Sequence, residues 1–330
     1  MKEVIGQLKS FIRTQSPWHW ITLILFCAFS VYFTYTTGLQ ETIDSFTGWK
    51  QFFAYSTLYA VHSVVAYLLY SFFSGNYTFW GRPGFLVLLL LSFFIFSFRA
   101  VVWEHRDLVA RLSSEGQEHI NSFVFNDVFR LLYLSIPVMA VWFFADRDQP
   151  LYGFSLKNHK ARLYWILLLC MVPLIAGASV LSDFLDYYPR FKKIEYANPP
   201  AWKLWVYELC YGMDFTSIEL FFRGFMVMAF ARYVGINSIL PMSAFYLSIH
   251  YGKPLGEAIS SFFGGTILGV ISFHSKSIFG GIMVHAGIAW LMEIGGYIGN
   301  LFTDAPSENI SGKKSITRSA HIKPKGYLFF

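Results

Sequence analysis

Phe215-Thr216-Ser217-Ile218-Glu219-Leu220-Phe221-Phe222-Arg223-Gly224-Phe225-Met226-Val227-Met228-Ala229-Phe230 is the stretch that decides how this chain is read. It is a membrane-like apolar run interrupted by one acid and one base. In a helix, Glu219 and Arg223 lie one turn apart on the same face, close enough to pair. Ionisable groups near hydrocarbon are costly and mark candidate functional sites. Two apolar segments downstream each carry a histidine, His250 and His285.

The surrounding composition fits a membrane setting. The chain has 330 residues, of which 55% are hydrophobic, 20% aromatic and 14% charged. A soluble domain carries about 25% charged residues. The expectation is an all-α, polytopic transmembrane helical bundle of about eight spans. The net charge of +6 points to cytoplasmic loops and anionic lipid headgroups, so membrane lipids are expected partners. No aromatic-interleaved basic patch occurs, which argues against nucleic acid. Cys27, Cys170 and Cys210 all fall in apolar stretches without Cys-x-x-Cys spacing, which reads as buried thiols. The first apolar run has no small-residue cleavage site after it and reads as a retained span.

Apolar runs of about 20 residues suit a bilayer. They cover 18–37, 52–73, 84–102, 129–145, 162–181, 217–233, 236–251, 255–273 and 278–301. The segment 236–251 is short enough to stop part-way, which makes the count eight or nine. Trp18, Trp20, Trp80, Trp142, Trp165 and Trp202 sit near span ends, as an aromatic belt would. The N-terminus, the basic loop 146–162 and the basic tail are expected on the cytoplasmic side, and two ends on one side favour eight. Pro189, Pro199 and Pro200 break the chain. The division expected is 1–198 for N-terminal helices, 199–301 for a site-bearing core and 302–330 for a basic tail. No internal repeat is seen.

Each polar residue has a structural reading beside a functional one. Glu219 and Arg223 can be an ion pair that joins helices. His250 ends a run with Tyr246 one turn earlier, so phenol and imidazole share a groove or simply meet an interface. His285 lies deeper and can hydrogen-bond a neighbouring carbonyl. Ala258, Ser261, Gly265 and Gly269 form a small-residue face that should draw the two histidine helices together. Glu219, His250 and His285 could also make a two-His, one-carboxylate metal set. However, no His-Glu-x-x-His fixes such a geometry, so no metal or other cofactor is expected. Neither Ser248 nor Ser261 sits in a nucleophile elbow.

Taken in order, Glu219-Leu220-Phe221-Phe222-Arg223-Gly224, Tyr246-x-x-x-His250, Gly264-Gly265-x-x-x-Gly269 and His285-x-x-x-Ala289 resemble the CPBP family. This family comprises CAAX-protease and bacteriocin-processing intramembrane proteins, relatives of the Ras-converting CAAX prenyl protease. The resemblance covers about 199–299. It implies catalytic roles for Glu219, His250 and His285 and a structural role for Arg223; the Tyr246 phenol, by its own chemistry, is a candidate oxyanion donor. It also implies a multi-pass protein of the bacterial cytoplasmic membrane that acts on a membrane-associated or lipidated peptide or protein. Three positions depart from the pattern, of which Tyr246 for phenylalanine is mild. Ile218 stands where the family has the glutamate thought to activate water, and Ala289 stands where it has an asparagine. The expected function is an intramembrane endopeptidase whose activity those departures reduce. The alternatives are a non-catalytic member of the same scaffold, serving bacteriocin immunity or peptide binding, and an ion-coupled transporter using Glu219 and Arg223.

Overall fold

The computed structural model describes residues 2–102, 105–114, 117–156, 161–191 and 200–303. Most of the proline-rich break, Lys157, Lys160 and nearly all of the basic tail lie outside the described residues. The fold is an all-α polytopic bundle. Among the described residues, eight helical segments are long and apolar enough to cross a membrane.

An amphipathic helix α1 (Lys2–Thr14) buries Val4 and Phe11 and leaves Lys2, Lys9 and Arg13 outside the core. Then come α2 (Pro17–Thr37), α3 (Gly48–Ser74) and α4 (Pro83–Val101). Pro stands in the first turn of α2 and of α4, where its missing N–H costs nothing. Glycines with positive φ end α2 and α3, at Gly38 and Gly75. Helices α5 (Glu118–Val141) and α6 (Ala161–Ala178) complete the N-terminal half. Large apolar side chains such as Leu25, Phe29, Phe72, Leu90 and Leu169 stand exposed on these helices. That surface suits lipid, where exposure of a leucine or phenylalanine costs little.

The site-bearing helix differs from the span read between 217 and 233. Helix α7 (Ala201–Glu219) starts well upstream and continues as a π-helical stretch, Leu220–Ala229. Lys203 and Asp214 make this part of the sequence look too polar to be helix inside a membrane. The structure compensates both. Lys203 Nζ donates to Gln117 Oε1 at 2.7 Å and Asn121 Oδ1 at 3.0 Å, and Arg99 Nη2 meets Asp214 Oδ2 at 2.5 Å. The Arg99–Asp214 pair also ties α4 to α7.

Beyond Ala229 the chain turns at Gly235, whose φ of +60° few other residues adopt, and folds back as α8 (Ile239–Ser248). Ser238 Oγ donates to Val227 O, and Phe245 packs edge-on against Phe221 and Phe222. Ten helical residues rise only about 15 Å, half a bilayer core. All ten are buried, so α8 is an inner element too short to cross a bilayer by itself. Tyr59 of α3 stacks on Phe245 with ring centroids 4.8 Å apart.

Helices α9 (Leu255–Ser275) and α10 (Phe279–Thr303) close the bundle. The small-residue face of α9 does pack closely, but chiefly against α8. A Cβ on Gly265 would stand 3.1 Å from Tyr246 Cδ1, and one on Gly269 would stand 2.9 Å from Met242 Cε. Thr266 Oγ1 donates to Ser243 Oγ at 3.0 Å. The His285 helix is positioned differently, against α6 and α7. Small residues matter here because lipid offers no hydrophobic drive, and close packing has to supply dispersion instead.

Candidate active site

Glu219 stands where α7 widens into the π-helical stretch. Such widenings put an extra residue into a turn and recur at functional sites. Glu219 and Arg223 are both fully buried, with Arg223 Nη1 3.0 Å from Glu219 Oε1. The contact is close but poorly aligned for a hydrogen bond, so it acts as an ion pair. The Arg223 guanidinium also lies over the Tyr246 ring, 4.3 Å from its centroid. Gly281 of α10 lets that helix reach the carboxylate, because a Cβ there would collide with Glu219 Oε2.

His285 bridges this pair to α8. Its Nδ1 is 3.0 Å from Glu219 Oε1 and its Nε2 is 3.1 Å from Tyr246 Oη. A carboxylate accepts only, so Nδ1 carries the hydrogen. In the neutral ring, Nε2 then accepts from the Tyr246 hydroxyl. Phe215 covers the imidazole at a centroid distance of 4.3 Å. Four side chains on three elements thus form one chain: Arg223, Glu219, His285, Tyr246.

His250 lies in the turn between α8 and α9. Its Nδ1 is 2.7 Å from Tyr246 O, so that nitrogen donates. In the neutral ring this leaves the Nε2 lone pair without a protein partner among the described residues. Burial pushes the imidazole well below the ordinary histidine range, and Lys253 adds to that shift. His250 therefore stays neutral and basic at Nε2 near neutral pH.

His250 and His285 line one cavity of about 50 Å³, enough for a few waters. Ile218 also lines it, as an apolar wall at the position where a carboxylate is expected. Tyr246 stands behind the wall, its ring 4.6 Å from that of His250 and 5.9 Å from that of His285. Ala289 is elsewhere, in an apolar cluster with Ile120, Tyr207 and Tyr211. Among the described residues, no three His, Cys, Asp or Glu side chains gather as metal ligands would. Glu219 and His285 spend Oε1 and Nδ1 on each other.

Sequence reading missed much of the wall. Arg99 of α4, Arg130 of α5, Arg190, Asp214 and Lys253 all line the cavity. These residues are scattered between positions 99 and 253, and no local spacing links them. The one available signal was buried charge: Arg99 and Asp214 each interrupt an apolar stretch.

Residues 200–291 match the family model described as Type II CAAX prenyl endopeptidase Rce1-like. The matched residues carry all five side chains of the expected site, and the match supports the CPBP/CAAX protease assignment. No curated protein and no solved structure matches the chain.

Proposed function

We propose that this chain, with its CAAX-protease family core in residues 200–291, is a multi-pass membrane endopeptidase. Its substrate is a membrane-associated peptide, and its setting a bacterial cytoplasmic membrane. The observation that carries the reading is the free Nε2 lone pair of His250 on a cavity shared with His285. Peptide hydrolysis needs a water made nucleophilic and a donor for the developing oxyanion. His250 Nε2 takes the water's proton as the oxygen attacks the peptide carbonyl, then passes it to the leaving amine. The Tyr246 hydroxyl turns its hydrogen from His285 Nε2 to the oxyanion. Glu219, held by Arg223, fixes the His285 ring through Nδ1.

Ile218 supplies no carboxylate and Asp214 is engaged by Arg99, so His250 bears the base role. This lowers the expected rate. The same apolar wall, with Ala289 turned into a hydrophobic cluster, favours a second reading: a family scaffold that binds a peptide without cutting it. Purified full-length protein incubated with a quenched-fluorescent peptide library, with products mapped by mass spectrometry, separates the two. Cleavage at defined bonds supports the peptidase. Binding with no product supports the scaffold.

A further inference from the structure

The cavity wall carries more positive charge than the proposed hydrolysis uses. Four cations line it, Arg99, Arg130, Arg190 and Lys253, against one carboxylate, Asp214. Two of the cations are already paired. Arg99 meets Asp214 at 2.5 Å, and Lys253 Nζ meets Glu257 Oε1 at 2.8 Å. Arg130 and Arg190 form no ion pair among the described residues. Each is only 6% exposed. The Arg190 guanidinium lies 4.5 Å from the centroid of the Tyr211 ring, and Glu293 fixes the Arg190 backbone by accepting from its amide at 3.0 Å. Two guanidinium groups are thus held at a cavity, out of bulk water, with one nearby carboxylate, Asp127, shared between them.

We propose that Arg130 and Arg190 form a carboxylate-binding subsite beside His250 and His285, and that it takes a carboxylate of the bound peptide. The identity of the ligand as a peptide rests on the peptidase reading. A guanidinium offers a planar pair of N–H donors that matches a carboxylate, which makes Arg the residue suited to this task. Two buried cations that share one counter-charge are costly, and an incoming carboxylate relieves that cost. The acids behind the wall select the charge of the ligand. Asp127 is buried one turn before Arg130, and Asp214 stands on the wall itself, so a single negative charge is accommodated better than two. The subsite would hold the peptide by one anionic group and set the distance from that group to the bond facing His250.

The test is binding, so that it does not depend on turnover. The probe is a short apolar peptide with an N-terminal fluorophore in three forms: a free C-terminus, a C-terminal amide, and the amide with one internal Glu. Anisotropy is measured on the full chain in nanodiscs. One of the two carboxylate forms should bind about ten- to a hundredfold more tightly than the uncharged amide, the range expected for charge-assisted hydrogen bonds. Which form does so tells a terminal carboxylate from a side-chain one. Arg130→Gln and Arg190→Gln should each shrink that ratio while leaving binding of the uncharged amide in place. Arg130→Lys, which keeps charge without the fork, should retain part of it. Thermal unfolding of each variant reports whether it is folded, and Arg130→Lys serves where Arg130→Gln is not. Equal binding of the three forms, an undiminished ratio in folded variants, or no binding of any form overturns the subsite. Cleavage is followed in parallel. A charge-dependent ratio without cleavage removes the peptidase reading and leaves the subsite standing.

Discussion

His285 Nδ1 lies 3.0 Å from Glu219 Oε1, the same oxygen that Arg223 Nη1 approaches at 3.0 Å. One carboxylate oxygen on α7 therefore balances a cation on its own helix and orients an imidazole on α10. In the proposed mechanism Glu219 is a positioning group, since one carboxylate oxygen is already engaged twice. It also couples the stability of the bundle to the geometry of the cavity.

The ion pair is the first place to test that coupling. Removing one partner of a fully buried pair leaves an uncompensated charge and costs about 3–5 kcal/mol. Arg223→Ala should lower folded yield and thermal stability by this order. The double variant Arg223→Ala with Glu219→Gln should recover part of the loss, because no charge is then stranded. A fully stable Arg223→Ala single variant, measured by thermal unfolding in detergent, would argue against the pairing.

Gly281 offers a steric test of the same site. A Cβ at this position would collide with the Glu219 carboxylate, whereas one at Gly264 would meet nothing within 4 Å. Gly281→Ala should push Glu219 off His285 and reduce both stability and any activity. Gly264→Ala should be neutral or stabilising by up to about 1 kcal/mol, since alanine is the better helix former. Equal behaviour of the two variants would show that α10 does not press on Glu219.

The pH dependence follows from His250. Its imidazole is held well below the ordinary histidine value, and only the neutral ring can accept a proton from water. Activity should be complete above the folded-state pKa and fall as pH drops through it. The acid limb of kcat/KM should therefore lie below the pH of about 6.5 expected for an unperturbed histidine. A limb at or above that value would assign the titration to another group.

Ile218 is the natural site for a gain of function. It faces the cavity alongside Arg99 and Arg130, so a carboxylate there would have positive charge nearby. A positioned general base contributes about 10²–10⁴-fold. Ile218→Glu should raise kcat/KM toward that range. A folded Ile218→Glu variant no faster than a measurably active wild type would show that water is activated elsewhere.

Much of this site was legible locally. Glu219 with Arg223 and Tyr246 with His250 are one-turn pairs, and helical spacing alone places each pair on one face. The shortness of the segment ending at His250 was visible in the sequence. Helix α7 was harder to read, because Lys203 and Asp214 make its first half look like a loop. Gln117, Asn121 and Arg99, distant in sequence, help make those charges tolerable in a helix. The π-helical widening after Glu219 has no periodicity signal in so uniformly apolar a run. The small-residue face of α9 was visible, but its partner was not: it seats α8 and leaves His285 to be placed by α6 and α7. The cationic wall showed only as a charge inside an apolar stretch at Arg99, since its residues meet through tertiary packing.

The central claim is that His250 is the base of a peptidase. The most direct test compares kcat/KM of purified wild type and His250→Ala on a peptide found to be cleaved, with thermal unfolding run on both. The account predicts that His250→Ala remains folded and loses cleavage by about 10²-fold or more, as loss of a positioned base entails. A folded His250→Ala variant that cleaves at the wild-type rate would contradict it.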